Sequence, residues 1–133
     1  MSKPKVYITR LIPEAGMELV LSACDAEVWP QDRAVPRKTL EKKIRGADGL
    51  LSLLSDRIDA PLMNMAGARL RVISNYAVGF DNIDIAAATE RGILVCNTPD
   101  VLTETTADLA FALMLAAARR IGEGIDFVRD GKW

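Results

Sequence analysis

Histidine is missing from this sequence altogether. That excludes imidazole acid–base chemistry and histidine metal ligands on these residues. Cysteine is nearly absent as well: Cys24 and Cys96 stand far apart, in apolar surroundings and without a CxxC spacing. The expected state is two reduced, buried thiols in a cytosolic protein, rather than a disulfide framework or a metal site. No long hydrophobic run exists either. The longest, residues 109–118, falls far short of the roughly 20 residues that a membrane span needs. No signal-like apolar stretch follows Met1-Ser2-Lys3-Pro4-Lys5, so the expected compartment is the cytoplasm. An excess of one charge is lacking too. Lys and Arg number 17 against 18 Asp and Glu, a net charge of −1, shared evenly between the two halves. Neither a nucleic-acid nor a membrane-surface role has electrostatic support.

Familiar motifs are equally scarce. There is no GxGxxG and no P-loop, and Gly122 and Gly124 follow no strand pattern. Neither a GxSxG elbow nor a zinc-ligand spacing occurs. A flavodoxin would need a Ser/Thr/Gly-rich phosphate loop after its first strand, where Arg10-Leu11-Ile12-Pro13 stands instead. A phospho-receiver would need an Asp at the end of its third strand, where Ser52 and Leu53 stand.

What is present is a globular chain of 133 residues, 50% hydrophobic and 26% charged, long enough for one domain with a real core. Two periodicities alternate along it. Strand-like runs at 6–9, 26–29, 48–53, 70–74 and 93–96 are separated by helical stretches. Pro13 opens the first helix, with Leu19, Val20 and Ala23 as its inward face. Pro36 opens the second, with Leu40 and Ile44 four apart. A short helix spans 61–65, and another spans 83–91, closed by Gly92. Thr103 begins a long last helix. Strands joined by single helices pair in parallel through right-handed crossovers. The fold class is therefore α/β: a flavodoxin-like, doubly wound, parallel five-stranded sheet followed by a long C-terminal helix.

In such a sheet ligands bind at the rim where strands end. The rim loops are 10–13, 53–56, 75–81 and 97–103. In the third, Gly79 permits a positive φ or a close backbone approach, and the N–H groups around Ala77, Val78 and Gly79 are able to form an anion nest. The plainer alternative is a simple turn, with Asp81 or Asn82 capping the next helix. In the fourth, Asp100 or Thr103 suits the N-cap, and Glu104 and Asp108 suit the helix dipole. Ser52 and Ser55 either cap the segment from Ile58 or line a pocket, and Arg10 adds an exposed cation. The last helix is apolar on every side: Leu109, Leu113 and Ala117 form one stripe, and Phe111 and Leu115 another. It calls for cover by a second domain or another subunit. The alternative is a central core helix of the same domain.

The loops resemble the N-terminal substrate-binding domain of the D-isomer-specific 2-hydroxyacid dehydrogenases, and among them the glyoxylate/hydroxypyruvate reductases. Asn75-Tyr76-Ala77-Val78-Gly79-Phe80-Asp81-Asn82-Ile83-Asp84 and Asn97-Thr98-Pro99-Asp100-Val101-Leu102-Thr103 carry it most specifically. Leu53-Leu54-Ser55-Asp56, Thr106-Ala107-Asp108 and Gly131-Lys132-Trp133 add to it. The resemblance implies that residues 1–102 form an incomplete substrate-binding domain. Residues 103–133 then lead as an inter-domain helix toward an NAD(P)-binding domain. It implies that the amides of Val78 and Gly79 hold the carboxylate of glyoxylate or hydroxypyruvate, that Leu53 and Ser55 line the cleft, and that Leu102 and Thr106 approach the nicotinamide. No catalytic residue and no metal ligand is expected on these residues. The family's glycine-rich loop, substrate Arg, acidic residue and catalytic His have no counterpart here, so the chain alone is expected to bind no NAD(P)H and transfer no hydride. A homo-oligomer through the 103–121 helix is the expected assembly. The competing class is a non-enzymatic, small-anion-binding or self-associating α/β module.

Overall fold

The computed structural model describes residues 2–133. It holds five strands, β1 (Lys5–Ile8), β2 (Asp25–Val28), β3 (Gly49–Ser52), β4 (Val72–Asn75) and β5 (Leu94–Cys96). With them run α1 (Glu14–Ala23), α2 (Arg37–Lys43), α3 (Ala60–Ala66), α4 (Ile85–Glu90), α5 (Thr103–Ala118) and α6 (Ile121–Arg129). The strands pair in parallel in the order β2-β1-β3-β4-β5, the flavodoxin-like arrangement read from the sequence.

Register decides what is buried. Tyr7, Leu50, Ile73 and Val95 lie side by side across the sheet. Their face packs against Leu40 of α2 and Ile44 at its end, Leu62, Met63 and Ala66 of α3, and Ala87 and Ala88 of α4, forming one core. The opposite face carries the row Val28, Ile8, Leu51, Ser74 and Cys96. Ile8 is fully buried there, but Ser74, Cys96 and the neighbouring Leu94 are exposed. The expected burial of both thiols therefore fails: Cys24 is half-buried at the end of α1, and Cys96 lies on this open end of the sheet.

Two helices depart from expectation. In α1 the buried residue is Met17, with Gly16 and Val20 half-buried, while Leu19 is 72% exposed and Ala23 is exposed. The 16/17/20 stripe faces inward at i, i+3 and i+4 spacing, which turns Leu19 and Ala23 outward. The long last helix is two helices. Arg120 takes a left-handed conformation, φ 52°, between α5 and α6. Such a residue cannot continue a right-handed helix, and Gly122 and Gly124 lower the helix propensity of α6.

The chain divides into two compact units, Met1–Pro99 and Asp100–Trp133. In the second, α5 and α6 bury no residue. No described helix is long and apolar enough to cross a membrane.

Candidate functional site

The C-terminal rim of the sheet gathers most of the buried polar side chains of the first unit: Thr9, Ser52, Asp56 and Asn75. Each has a partner. The Asp56 carboxylate, 4% exposed, accepts from the Thr9 hydroxyl at 2.5 Å and from the Leu53 N–H at 2.9 Å, closing the 53–56 turn. Ser52 donates to Asn75 Oδ1 at 2.9 Å, so it caps nothing. Asn75 Nδ2 donates to Gly79 O at 2.9 Å and to Asn82 Oδ1 at 3.0 Å. Asn82 Nδ2 in turn donates to Leu53 O at 3.1 Å and Asp56 O at 2.9 Å. The two amides thus join the turn after β3 to the loop after β4, with their donors used.

That engagement overturns the expected cap of α4. Asn82 is committed elsewhere, Ile83 pairs with Ile58 as a parallel bridge, and Asp84 caps the helix by accepting from Ala87 N at 2.9 Å. Near α5, Leu102 holds the N-cap position without a side-chain bond, and Asp100 sits at φ 65°. Neither Asp100 nor Thr103 is the cap, although Asp100 O accepts from Thr103 N at 3.2 Å.

The 75–79 loop is held by its carbonyls. Ala77 O accepts from Thr98 N at 2.9 Å, Val78 O from Asn97 Nδ2 at 2.7 Å, and Gly79 O from Asn75 Nδ2. Three successive peptide groups are each gripped at the oxygen. In a planar trans peptide the N–H points opposite to the C=O. The N–H groups of Val78, Gly79 and Phe80 therefore point away from those grips, and among the described residues they have no acceptor. Val78 and Gly79 are half-buried and Phe80 is exposed, and successive N–H groups without a protein acceptor suit an anion. Gly79 itself is not in the left-handed region, and a Cβ built on it meets only ordinary contacts, Leu54 Cδ2 at 3.7 Å and Asp81 Oδ2 at 3.8 Å. The positive φ that glycine would permit here is not used, and no close approach within the fold uses the missing Cβ.

The other sequence-predicted residues are distributed unevenly. Leu53 is half-buried and tied to the loop through Asn82, whereas Ser55 is exposed at the tip of its turn. Arg10 is not the exposed cation expected: its side chain is 20% exposed and pairs with Asp32 at 3.3 Å. Leu102 and Thr106 lie one turn apart in the second unit, both exposed, with Thr106 N donating to Leu102 O at 3.0 Å. Asn75, Asn82 and Asn97 are the residues that sequence reasoning undervalued. The available signal was an asparagine at the end of two apolar strands.

Titration shifts lie away from this loop. Burial pushes the Tyr7 hydroxyl up, and the negative charges of Glu27 and Asp56 add to it. At Asp59 burial acts upward, but the Arg37 guanidinium and the Leu62 N–H outweigh it and hold the carboxyl below the usual range. No described strand runs into a glycine-rich turn that opens a helix. Among the described residues no cluster of acidic or thiol side chains has the makings of a metal site.

Comparison with known proteins places this rim in a context. A glyoxylate reductase of Thermococcus kodakarensis is 53% identical over 131 residues, 98% of this chain and 39% of its own length. The TT0316 protein of Thermus thermophilus superposes with a TM-score of 0.82 at 45% identity, over 97% of this chain and 41% of that one. An NADPH-dependent glyoxylate/hydroxypyruvate reductase of Sinorhizobium meliloti, solved with NADP and malonate, superposes with a TM-score of 0.72 at 29% identity, over 99% of this chain and 40% of that one. The chain thus spans about two-fifths of the length of the relatives it matches. The model of the D-isomer specific 2-hydroxyacid dehydrogenase catalytic domain matches residues 6–125, and the chain belongs to that NAD(P)-dependent oxidoreductase family.

Proposed function

We propose that this chain is the substrate-binding part of an NAD(P)H-dependent glyoxylate/hydroxypyruvate reductase, which reduces a small 2-oxo acid to the D-2-hydroxy acid. The observation that carries the reading is the 75–79 loop, whose Val78 and Gly79 N–H groups are aimed by anchored carbonyls and have no acceptor of their own. These donors hold the substrate carboxylate, with Leu53 and Ser55 along the cleft wall. Leu102 and Thr106 are assigned to the nicotinamide side. Bound NAD(P)H would supply the hydride. The residues of this chain supply the anion end of the site and the orientation of the oxo carbon.

The test is a titration of the ¹⁵N-labelled chain with glyoxylate. Saturable shifts at the Val78 and Gly79 amides are expected. Shifts confined to surface lysines and arginines would remove the carboxylate assignment.

Self-association through α5 belongs to the same reading. Leu109, Phe111, Leu113, Met114 and Leu115 are all exposed, apolar side chains on more than one side of α5 that call for cover. The thiols Cys24 and Cys96 are free, in keeping with a cytoplasmic assignment. Light scattering is expected to show a mass that rises with concentration and falls to that of the monomer in Leu113→Glu. A clean monomer at every concentration would refute the assembly.

A further inference from the structure

The carbonyl of Val78 accepts from the side chain of Asn97, 19 positions along the chain at the end of β5, at 2.7 Å. That oxygen and the Gly79 N–H belong to one rigid peptide plane, so a hold on the first sets the direction of the second. The other two carbonyls of the loop are held differently. Ala77 O is held by a backbone N–H, and Gly79 O by the buried Asn75. Only at Val78 does a half-buried side chain make the grip with a single bond of its own.

We propose that Asn97 is a positioning residue for anion binding, resting on the carboxylate reading of the 75–79 loop. By fixing the Val78–Gly79 peptide plane from β5, it aims the Gly79 N–H at the substrate carboxylate without touching the substrate itself. Thr98, the next residue, does the same for the Val78 N–H through its own backbone. The end of β5 therefore governs the affinity of a loop that belongs to β4. Removing the Asn97 amide frees the plane to rotate. It leaves the core untouched, because Asn97 is not one of the residues packed into it.

The experiment uses the ¹⁵N-labelled 133-residue chain with sodium oxalate as the probe, following the Gly79 amide, and compares wild type with Asn97→Ala and Asn97→Gln. In Asn97→Ala the oxalate Kd is expected to weaken about tenfold, the size of losing one well-aligned hydrogen bond to a charged group. The Gly79 N–H residual dipolar coupling should change while those of the strands stay put. Asn97→Gln keeps a donor and should recover part of the affinity. Asn97→Leu, close in size and without a donor, makes the same comparison should Asn97→Ala lose the native spectrum. If wild type binds at Val78 and Gly79 and the donor-less variants bind equally well, the positioning role is overturned and the carboxylate reading stands. If the wild-type Val78 and Gly79 amides do not respond at all, both are overturned. If oxalate shifts the Asn97 side-chain amide while the Val78 carbonyl bond is lost, Asn97 is a direct ligand and the positioning role is overturned.

Discussion

Leu113 of α5 and Ile73 of β4 are both large aliphatic residues within strongly apolar surroundings, yet one is 61% exposed and the other fully buried. The difference lies in partners. Ile73 stands between Leu50 and Val95 in the sheet register, and its core is completed by α2, α3 and α4. Residues 100–133 contribute only α5 and α6, and as a unit two helices have no third layer on which to bury both apolar stripes. Apolar composition thus marks a surface as one that needs cover. Only topology decides whether the same unit provides it.

The largest effect that would break this comparison is on stability. Ile73→Ala removes fully buried methylene groups and is expected to cost about 2–5 kcal/mol. Leu113→Ala, at an exposed helical position favourable to alanine, is expected to stay within about 0.5 kcal/mol at concentrations where the chain is monomeric. Urea unfolding followed by circular dichroism measures both. Equal losses would mean that Leu113 is buried in solution by something within the monomer.

A second effect concerns polar anchoring within the first unit. Asn82 donates to two carbonyls of the 53–56 turn and accepts from Asn75, whereas Ser55, in the same turn, is exposed. Asn82→Asp keeps the shape but replaces both donors with an acceptor facing two carbonyl oxygens. A loss of about 2–3 kcal/mol is expected, against less than about 0.5 kcal/mol for Ser55→Ala. Amide exchange in the 53–56 and 75–82 loops would show whether the loss is local. An unchanged midpoint for Asn82→Asp would mean that the two amides do not hold the loops together.

How far these features could be read beforehand follows the same division. The alternation of strand and helix, the sheet order, the Leu40/Ile44 face and the Gly92 terminus, at φ 64°, are written in local spacing and were legible. The loop proposed to hold an anion stood out in the sequence only as a composition, Ala77-Val78-Gly79. Its character comes from carbonyls held by Asn75, Asn97 and Thr98, contacts that link separate strands and leave no local pattern. The cap of α4 was misplaced for a related cause. Asp81, Asn82 and Asp84 are all good cap residues, and only the tertiary commitment of Asn82 selects Asp84. The break at Arg120 needs a left-handed arginine, which composition does not announce.

The smallest effect contrasts two helix starts. The helix α3 begins with Asp59, whose Oδ1 accepts from Leu62 N at 3.2 Å and pairs with Arg37 Nη2 at 2.6 Å, while α5 begins at Leu102 with no side-chain cap. Burial alone would raise the Asp59 carboxyl, but the Arg37 pair and the N–H bond hold it below its ordinary value. A carboxyl lowered by folding contributes stability that is complete above the unfolded-state pKa, about 3.9, and is lost as pH falls through the lower folded value. Asp59→Asn keeps a capping oxygen and removes the charge. At neutral pH the variant is expected to be less stable by about 0.5 kcal/mol, the size of a partly exposed ion pair. The gap should begin to narrow as pH falls below about 4 and close only below the lowered folded value, where the wild-type carboxyl is protonated too. Thermal unfolding of both proteins across that range checks the sign. A gap that persists unchanged in acid would mean that Asp59 acts through its shape as a cap and its charge contributes nothing.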